Sequence, residues 1–316
     1  MLTLRTRVYV DGYNLYYGCL RETAYKWLDV LALFDKQILP SILYRPASDD
    51  APARMVLHSE CAVKYFTAKI VESAARGPDS VSSQAQYHNA LTQHCRGRVQ
   101  FIMGKYAIYK ANQFAVDPEN PVRWPRDCEK VQVWKLEEKQ SDVNIALQLY
   151  DDALNGEIDQ VVLVTNDTDL SPALEMLKTR CPDVVRGLVI PTRKQGAEGK
   201  VEREANASLT KHASWVRRHI LADELRASQL PEVVAGARRA SIKPHSWYAK
   251  PHHIERMLEL ARPVLGTDAA VFKWARRHSE HFGGRRPIDL VETNEGAAEL
   301  FDYIEAYVLA GPRGNN

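Results

Sequence analysis

The chain has 316 residues, of which 45% are hydrophobic and 26% charged, with a formal net charge of +2 at pH 7. This length favours two domains over a single core, and the small net charge neither requires nor excludes a polyanionic partner. Since there is no apolar run of membrane-spanning length, no signal-peptide core and no paired pattern among the five cysteines, we expect a soluble cytoplasmic protein without disulfides or a zinc knuckle.

Short apolar runs alternate with helical patterns from the start of the chain. Such runs, bounded by polar turns, are typical of parallel strands that are buried on both faces. Strands are predicted near residues 7–10, 63–69, 99–103, 161–165 and 184–190. Helices are predicted over residues 30–39, 80–94, 142–153 and 171–179. This order predicts an α/β fold with a doubly wound, mainly parallel sheet flanked by helices.

A basic and aromatic segment, residues 105–139, interrupts this alternation, and we expect it to be the least regular part of the domain. Its cations could follow phosphates while its rings stack on unpaired bases, and Lys135 and Lys139 are its candidate substrate-binding residues. Glu129, Glu137 and Glu138 alternate with the cations, so a solvated surface explains the pattern equally well. RNA contact at this segment is therefore left open.

The remaining chain changes character in three steps. Residues 207–230 are helical and basic in pattern, residues 231–250 contain Pro, Gly and Ser and form the predicted linker, and residues 251–316 form a predicted small helical domain. The predicted α/β domain is thus residues 1–230. Four cations after its last predicted strand could mark the end of a substrate groove: Lys194, Lys200, Arg203 and Lys211.

The first predicted strand runs into the sequence Val-Asp-Gly-Tyr-Asn. Asp11 therefore lies at its carboxyl end, where open parallel sheets bind ligands. Gly12 permits a close approach of backbone or ligand, and Asn14 supplies an amide beside the carboxylate. A single Asp at a strand end is equally explained as a helix N-cap.

A second strand end carries Asp167 and Asp169, and a helix follows them. Acids at a helix N-terminus also act as caps, but two acids and two hydroxyls after a buried strand exceed what a cap requires. Asp142 lies in the first turn of a third element, after the natural N-cap Ser141. Dipole complementarity would explain Asp142 alone. In a doubly wound sheet, however, these acids converge on one crevice.

Carboxylates that converge in this way repel one another and raise each other's pKa values. A hard divalent cation resolves the repulsion, because Mg²⁺ prefers oxygen ligands. Such a cation activates water and offsets the charge that develops on a phosphodiester. Three or four carboxylates that meet at this crevice therefore predict a Mg²⁺ or Mn²⁺ site that hydrolyses nucleic acid without a side-chain nucleophile.

The three acidic segments, in this order, resemble the motifs of NYN nucleases in the PIN-like superfamily over about residues 5–230. The resemblance implies a PIN-like fold and metal-dependent RNA cleavage. It implies that Asp11, Asp142 and Asp167 are catalytic metal ligands and that Asp169 is a further ligand or holds water. Glu138 could replace one of them. The candidate residues around the substrate are Asn14, Thr165 and Asn166, with Lys135 and Lys139.

The stretches VLGTDAAVFKWA and FGGRRPIDLVETNEG resemble the toxin-binding domain of Xre/MbcA/ParS-type antitoxins over about residues 255–311. The resemblance implies contact with a protein partner or self-association. The DNA-binding helices of those antitoxins are replaced here by the nuclease-like domain. Packing or dimerisation and capture of a toxin-like partner both remain open.

These observations predict an endoribonuclease, and the domain pairing suggests a bacterial toxin-like or defence role. The main alternative is a non-catalytic RNA-binding PIN-like domain that is coupled to a protein-interaction domain. A haloacid-dehalogenase-like phosphatase would need an acid where Tyr13 stands. A Toprim domain would need an early glutamate before its Asp-x-Asp pair, and the sequence has the pair alone.

Overall fold

In the computed structural model, residues 2–46, 51–75, 77–193, 204–237 and 239–310 are described. The contacts divide the chain into two compact units. Unit 1 comprises Met1–Arg21 and Leu28–Ile242, and unit 2 comprises Glu22–Trp27 and Lys243–Asn316. Lys194, Lys200 and Arg203, which mark the predicted end of a substrate groove, lie outside the described residues.

Eleven strands are present among the described residues. In chain order they are β1 (Thr3–Asp11), β2 (Arg54–Leu57), β3 (Val63–Thr67), β4 (Val99–Met103), β5 (Lys105–Phe114), β6 (Lys130–Lys139), β7 (Gln160–Val164), β8 (Val185–Val189), β9 (Trp215–Arg217), β10 (Val233–Val234) and β11 (Ser241–Ile242). The main sheet has the order β4-β3-β1-β7-β8-β9, and β2 pairs with the first half of β1. Every pairing in this sheet is parallel.

The helices of the described chain are, in order, α1 (Gly12–Leu15), α2 (Val30–Ala32), α3 (Ser80–His94), α4 (Ser141–Leu154), α5 (Ser171–Arg180), α6 (Ala207–Thr210), α7 (Ala222–Ala227), α8 (Pro251–Leu265), α9 (Asp268–Ala275), α10 (Pro287–Leu290) and α11 (Asn294–Ala310). The helix predicted at residues 30–39 is built from α2 and a π-helical segment, Leu33–Ile38. A second π-helical segment, Tyr16–Leu20, follows α1. The α/β fold predicted from the sequence is confirmed. No helix within the described residues combines the length and apolar character needed to cross a bilayer.

The strand order places a topological switch point between β1 and β7. From β1 the chain moves outward through β3 to β4, and it then returns beside β1 as β7 and moves outward the other way through β8 to β9. The register pairs Val10 of β1 with Val164 of β7, so the two strands end side by side. In open parallel sheets, ligands bind in the crevice beyond the carboxyl ends of such a strand pair.

The core of unit 1 explains why α4 lies against the sheet. Ile145, Leu149 and Ala153 recur at helical spacing and are buried against Tyr9 and Phe66 of the sheet. Fully burying a side chain of this size stabilises the fold by roughly 1.5–3 kcal/mol. This packing sets the direction of α4, whose first turn carries Asp142.

The expectation of irregular structure at residues 105–139 is wrong. Strands β5 and β6 pair as a long antiparallel ribbon, from Lys105↔Lys139 at the base to Phe114↔Lys130 at the far end. Both arms alternate side chains with a period of two, a pattern that charge and aromatic content obscured. A second difference lies in residues 207–230, where β9 extends the sheet beside β8 between two short helices.

Unit 2 has an all-helical core formed by α8, α9, α10 and α11. Met257, Phe272 and Leu300 are buried in it. The Thr267 hydroxyl accepts a hydrogen bond from the backbone N–H of Ala270 and so caps the start of α9. The predicted linker, residues 231–250, contains two strands, β10 and β11. They form a short antiparallel pair within unit 1.

Candidate functional site

Asp11 is the most buried acid at the switch point, with 4% of its surface exposed. Its Oδ1 accepts a hydrogen bond from the backbone N–H of Asn14 at 3.0 Å, and its Oδ2 accepts from Asn14 Nδ2 at 2.6 Å. The Thr165 hydroxyl donates a further bond to Oδ2 at 2.9 Å. Asp11 therefore caps α1, as the simpler interpretation of the sequence required, and also has a fixed orientation at the crevice.

The position after Asp11 requires a glycine because the chain there lies directly against β3. A Cβ at this position would lie 2.6 Å from the carbonyl oxygen of Phe66 and 2.6 Å from the Tyr65 ring. No side chain fits there without displacing the backbone of β3. The close approach predicted at Gly12 is therefore present, and the atoms that approach Gly12 belong to β3.

The loop after β7 brings Asp167 and Asp169 to the same crevice. The backbone N–H of Asp167 donates to Thr165 Oγ1 at 3.1 Å, so one hydroxyl contacts both strand ends. Asp167 Oδ1 accepts from the backbone N–H of Asp169 at 3.1 Å, which is a capping bond. Asp167 is half-buried and Asp169 is exposed. Both acids keep carboxylate oxygens available beyond this cap.

Asn166 has an amide that is used within the protein. Its Nδ2 donates to the carbonyl oxygen of Glu204 at 3.0 Å, and its Oδ1 accepts from the backbone N–H of Asn206 at 2.9 Å. These bonds attach the segment before α6 to the end of β7. The predicted contact of Asn166 with substrate stays a prediction, and the structure gives the side chain a positioning role.

Glu138 and Asp142 approach the crevice from the junction of β6 and α4. Gln140 lies between them with a φ of 81°, which turns the chain sharply into the helix. The Ser141 hydroxyl donates to the Glu138 carboxylate. A Cβ on Gly104, at the start of the ribbon, would lie 2.5 Å from Glu138 Oε1 and 2.7 Å from the carbonyl oxygen of Lys139. Close packing thus fixes the base of the ribbon beside the site.

We call Asp11, Glu138, Asp142, Asp167 and Asp169 the carboxylate cluster. Burial, and after it the negative charges of the other four members, together raise the pKa of Asp142 to about 6. Burial also raises the pKa of Asp11 against the hydrogen bonds from Asn14 and Thr165, and the charge of Asp167 adds to the rise. For Glu138, burial and the charge of Asp11 raise the pKa. The five acids therefore share one electrostatic field.

The chemistry of this donor set fits a hard divalent cation, since all five side chains offer carboxylate oxygens. Among the residues that the structure describes, no three acidic, His or Cys side chains lie close enough together to hold a metal ion as they stand. Asp142 and Asp167 are half-buried and Asp169 is exposed, and all three are near helix starts.

Lys135 and Lys139 lie on the opposite ribbon face from Glu138. Side chains alternate between the two faces of a strand, so odd-numbered β6 residues point away from the face that carries Glu138. Lys135 forms an ion pair with Glu137, and Lys139 lies 3.3 Å from the same carboxylate. The predicted role of these two lysines in substrate binding stays a prediction.

Sequence reasoning missed a buried ionic network beneath α4. Asp152 accepts from Tyr9 Oη at 2.5 Å, from Lys64 Nζ at 2.9 Å and from Arg7 Nη1 at 2.9 Å. All four side chains are buried. Two signals could have revealed it: cations within apolar strands, and an acid on the helical stripe of Ile145 and Leu149.

Comparison with known proteins gives two family matches. Residues 5–206 match the NYN domain family, and residues 260–307 match the antitoxin Xre/MbcA/ParS C-terminal toxin-binding domain. The chain is 52% identical over 305 residues to the 6-hydroxy-3-succinoylpyridine 3-monooxygenase HspA of Pseudomonas putida (strain DSM 28022 / S16), covering 96% of this chain and 95% of that protein. A crystal structure of a protein of unknown function from Vibrio parahaemolyticus RIMD 2210633 shares 16% identity at a TM-score of 0.33, covering 70% of this chain and 94% of that one.

Proposed function

This chain belongs to the NYN domain family, a nuclease-like group, and from that premise we propose that it is a Mg²⁺- or Mn²⁺-dependent endoribonuclease. The observation that carries the proposal is the convergence of five carboxylates on the β1–β7 switch point, where burial and mutual repulsion raise the pKa of Asp142 to about 6. A structural role would not require so many acids in one field. A cation would relieve their repulsion.

Within this proposal Asp11, Asp142 and Asp167 hold the cation, and Asp169 completes the set or orients water. A bound divalent cation supplies an activated water and offsets charge on the phosphodiester. Asn14 and Thr165 keep the Asp11 carboxylate in one orientation through their hydrogen bonds. Glu138 accepts from Ser141 and can stand in for one ligand. The preference for RNA rests on the likeness to NYN nucleases.

The proposal is tested by incubating the full chain with single-stranded and structured RNAs in chelator, in Mg²⁺ and in Mn²⁺. We expect fragments in the presence of metal from the parent and from Asp151→Asn, an exposed neighbour on α4. Asp142→Asn should give none. Intact RNA after incubation with folded parent protein in both metals would contradict the proposal. Binding without cleavage would support the non-catalytic RNA-binding alternative.

A second candidate function is the monooxygenation of a hydroxypyridine carboxylic acid. The observation that favours it is the 52% identity to HspA, which extends over both units of the chain. Monooxygenation places one oxygen atom of O₂ in the product and reduces the other to water with two electrons from a donor. Near the cluster, the Tyr13 and Tyr106 rings meet edge to face with centroids 5.7 Å apart, a surface suited to an aromatic substrate.

This second function is tested with 6-hydroxy-3-succinoylpyridine, O₂ and reduced nicotinamide or flavin donors. Oxygen uptake that matches substrate loss would support monooxygenation, and the RNA assay on the same preparation decides between the two functions. Tyr13→Phe should keep the ring and serve as a control for Tyr13→Ala. No oxygen uptake with any donor, together with RNA cleavage, would leave the nuclease as the function of the cluster.

For unit 2 we propose a role in protein contact, either with a toxin-like partner or by self-association through residues 255–311. The match to a toxin-binding domain supports it. Mass photometry of the full chain tests self-association. A monomer at all concentrations would leave a separate partner as the proposal.

A further inference from the structure

The two faces of the β5–β6 ribbon differ in chemistry. The face that carries Glu138, here the Trp134 face, presents Tyr106, Ile108, Lys110, Asn112 and Phe114 from β5 and Lys130, Gln132, Trp134, Leu136 and Glu138 from β6. The other face, here the Tyr109 face, presents Lys105, Ala107, Tyr109, Ala111 and Gln113, with Val131, Val133, Lys135, Glu137 and Lys139.

We propose that the Trp134 face is a binding track for single-stranded nucleic acid that leads from the far end of the ribbon to the carboxylate cluster. The proposal rests on the proposed nuclease function and names the form of its substrate. Trp134 is 70% exposed and Phe114 is 43% exposed, so both rings are available to stack on bases. The pairing of β5 with β6 leaves both rings largely exposed, so a bound base could cover them.

Charge on the Trp134 face suits a polyanion. Lys110 lies over the Trp134 ring at 5.4 Å, and Lys130 lies over the Phe114 ring at 5.0 Å. Each ring therefore has a cation beside it, which can contact a phosphate while the ring contacts a base. Glu138, at the base, is the only acid of this face. On the Tyr109 face, Glu137 instead pairs with Lys135 and Lys139.

The track is continuous with the site. At its base, Gly104 donates its backbone N–H to the carbonyl oxygen of Thr67 at 2.7 Å, which ties the ribbon to the end of β3. Tyr106 contacts Tyr13, which lies two residues after Asp11. From Tyr106 to Phe114 the ribbon extends about 27 Å at the usual rise of a strand. This length accommodates at least the roughly four nucleotides of a small stacking platform.

The test is fluorescence anisotropy of labelled RNA with the full chain in chelator, so that binding is measured without cleavage. Single strands of about 4 to 16 nucleotides are compared with a duplex. We expect the parent to bind single strands more tightly than the duplex. Phe114→Ala and Trp134→Ala should each raise Kd by about 5- to 140-fold, the loss of one stacked base.

The matched control lies on the same strand and the opposite face. Tyr109 is 38% exposed and has Lys139 over its ring at 5.7 Å, much as Phe114 has Lys130. Tyr109→Ala should leave Kd unchanged. Lys110→Gln should make the slope of log K against the logarithm of salt concentration shallower by about 0.7, the value for one phosphate of a single strand. Lys105→Gln, on the Tyr109 face, should not.

The outcomes separate the track from the nuclease. If the parent cleaves RNA but Phe114→Ala and Tyr109→Ala bind alike, the track is wrong and the nuclease stands. If Trp134-face variants alone lose binding and the parent cleaves nothing in Mn²⁺, the track stands and the nuclease fails. A parent that does not bind single strands overturns the track. So does a change of oligomeric state in Trp134→Ala, measured by mass photometry, because the face would then be a contact between copies.

Discussion

The Thr165 hydroxyl donates a hydrogen bond to Asp11 Oδ2 over 2.9 Å, although 154 positions separate the two residues. The bond joins the ends of β1 and β7, the two strands that flank the switch point. The same hydroxyl accepts from the backbone N–H of Asp167 at 3.1 Å. A buried threonine thereby holds the central acid and the loop of the second acid in one arrangement.

Removing this hydroxyl should loosen the cluster. Thr165→Val keeps the volume but leaves the Asp167 N–H and Asp11 Oδ2 each without one partner, a change that costs about 1–3 kcal/mol when such groups are buried. We expect metal affinity to fall about 10- to 100-fold, as for other residues that orient metal ligands. Isothermal titration with Mn²⁺ measures it. Thr168→Val, at an exposed position, is the control, and equal affinities in the two variants would contradict the prediction.

Neutralising the principal acids should abolish cleavage. Asp11→Asn, Asp142→Asn and Asp167→Asn each remove ligand charge from the proposed cation site, so metal-dependent RNA cleavage should be lost while circular dichroism stays that of the parent. Asp169→Asn should be milder because Asp169 is exposed. Gel analysis of RNA products measures the effect. Full activity in any two of the first three variants would exclude the proposed site.

The raised pKa of Asp142 should appear as pH-dependent stability in chelator. Its value of about 6 in the folded protein exceeds the 3.8 of an ordinary aspartate. The folded state therefore binds this proton more tightly, and the group lowers stability as pH rises from about 4 to about 6. Asp142→Asn should melt above the parent near neutral pH, and the difference should vanish near pH 4. Asp151→Asn is the control. A constant difference across this range would show that Asp142 does not titrate as described.

Asp167 distinguishes a metal ligand from a helix cap. Asn caps nearly as well as Asp, so the capping bond to the Asp169 N–H survives in Asp167→Asn. In chelator the variant should melt at or above the parent, because one repelling charge is gone. Metal should then stabilise the parent more than the variant, since binding to the folded state sets the gain. Scanning fluorimetry across a Mn²⁺ titration measures both. An identical metal-induced shift would remove Asp167 from the ligand set.

The buried network beneath α4 should be costly to break. Burial acts to raise the pKa of Asp152, but hydrogen bonds from Lys64, Tyr9 and Arg7 outweigh it and hold the pKa below its usual range. Asp152→Asn leaves two buried cations without this counter-charge, which should lower the free energy of unfolding by about 3–5 kcal/mol. Urea denaturation measures it. Asp151→Asn, one position away and exposed, should change little, and equal losses in both variants would contradict the network's role.

Much of unit 1 could be predicted from its residues. The helix predicted at residues 80–94 has those bounds in the structure, and the strand predicted at residues 99–103 does too. Both family resemblances are confirmed by the matches over residues 5–206 and 260–307. Long apolar periodicities predict elements because burial repeats with the geometry of helix and strand. The β5–β6 ribbon was missed because it is exposed on much of both faces, so its strands lack an apolar alternation.

The sequence by itself determined the parallel sheet, the acids at its strand ends and the helical character of residues after 251, because these follow from local patterns and short motifs. Only the tertiary structure decided which of those groups meet. It joined the Thr165 hydroxyl to Asp11 by a hydrogen bond and bonded the side-chain oxygen of Asn166 to the backbone N–H of Asn206. It also placed Lys135 on the ribbon face away from Glu138. Such arrangements depend on strand register and side-chain direction, which local sequence patterns do not fix, and a one-residue shift of a strand moves its side chains to the opposite face.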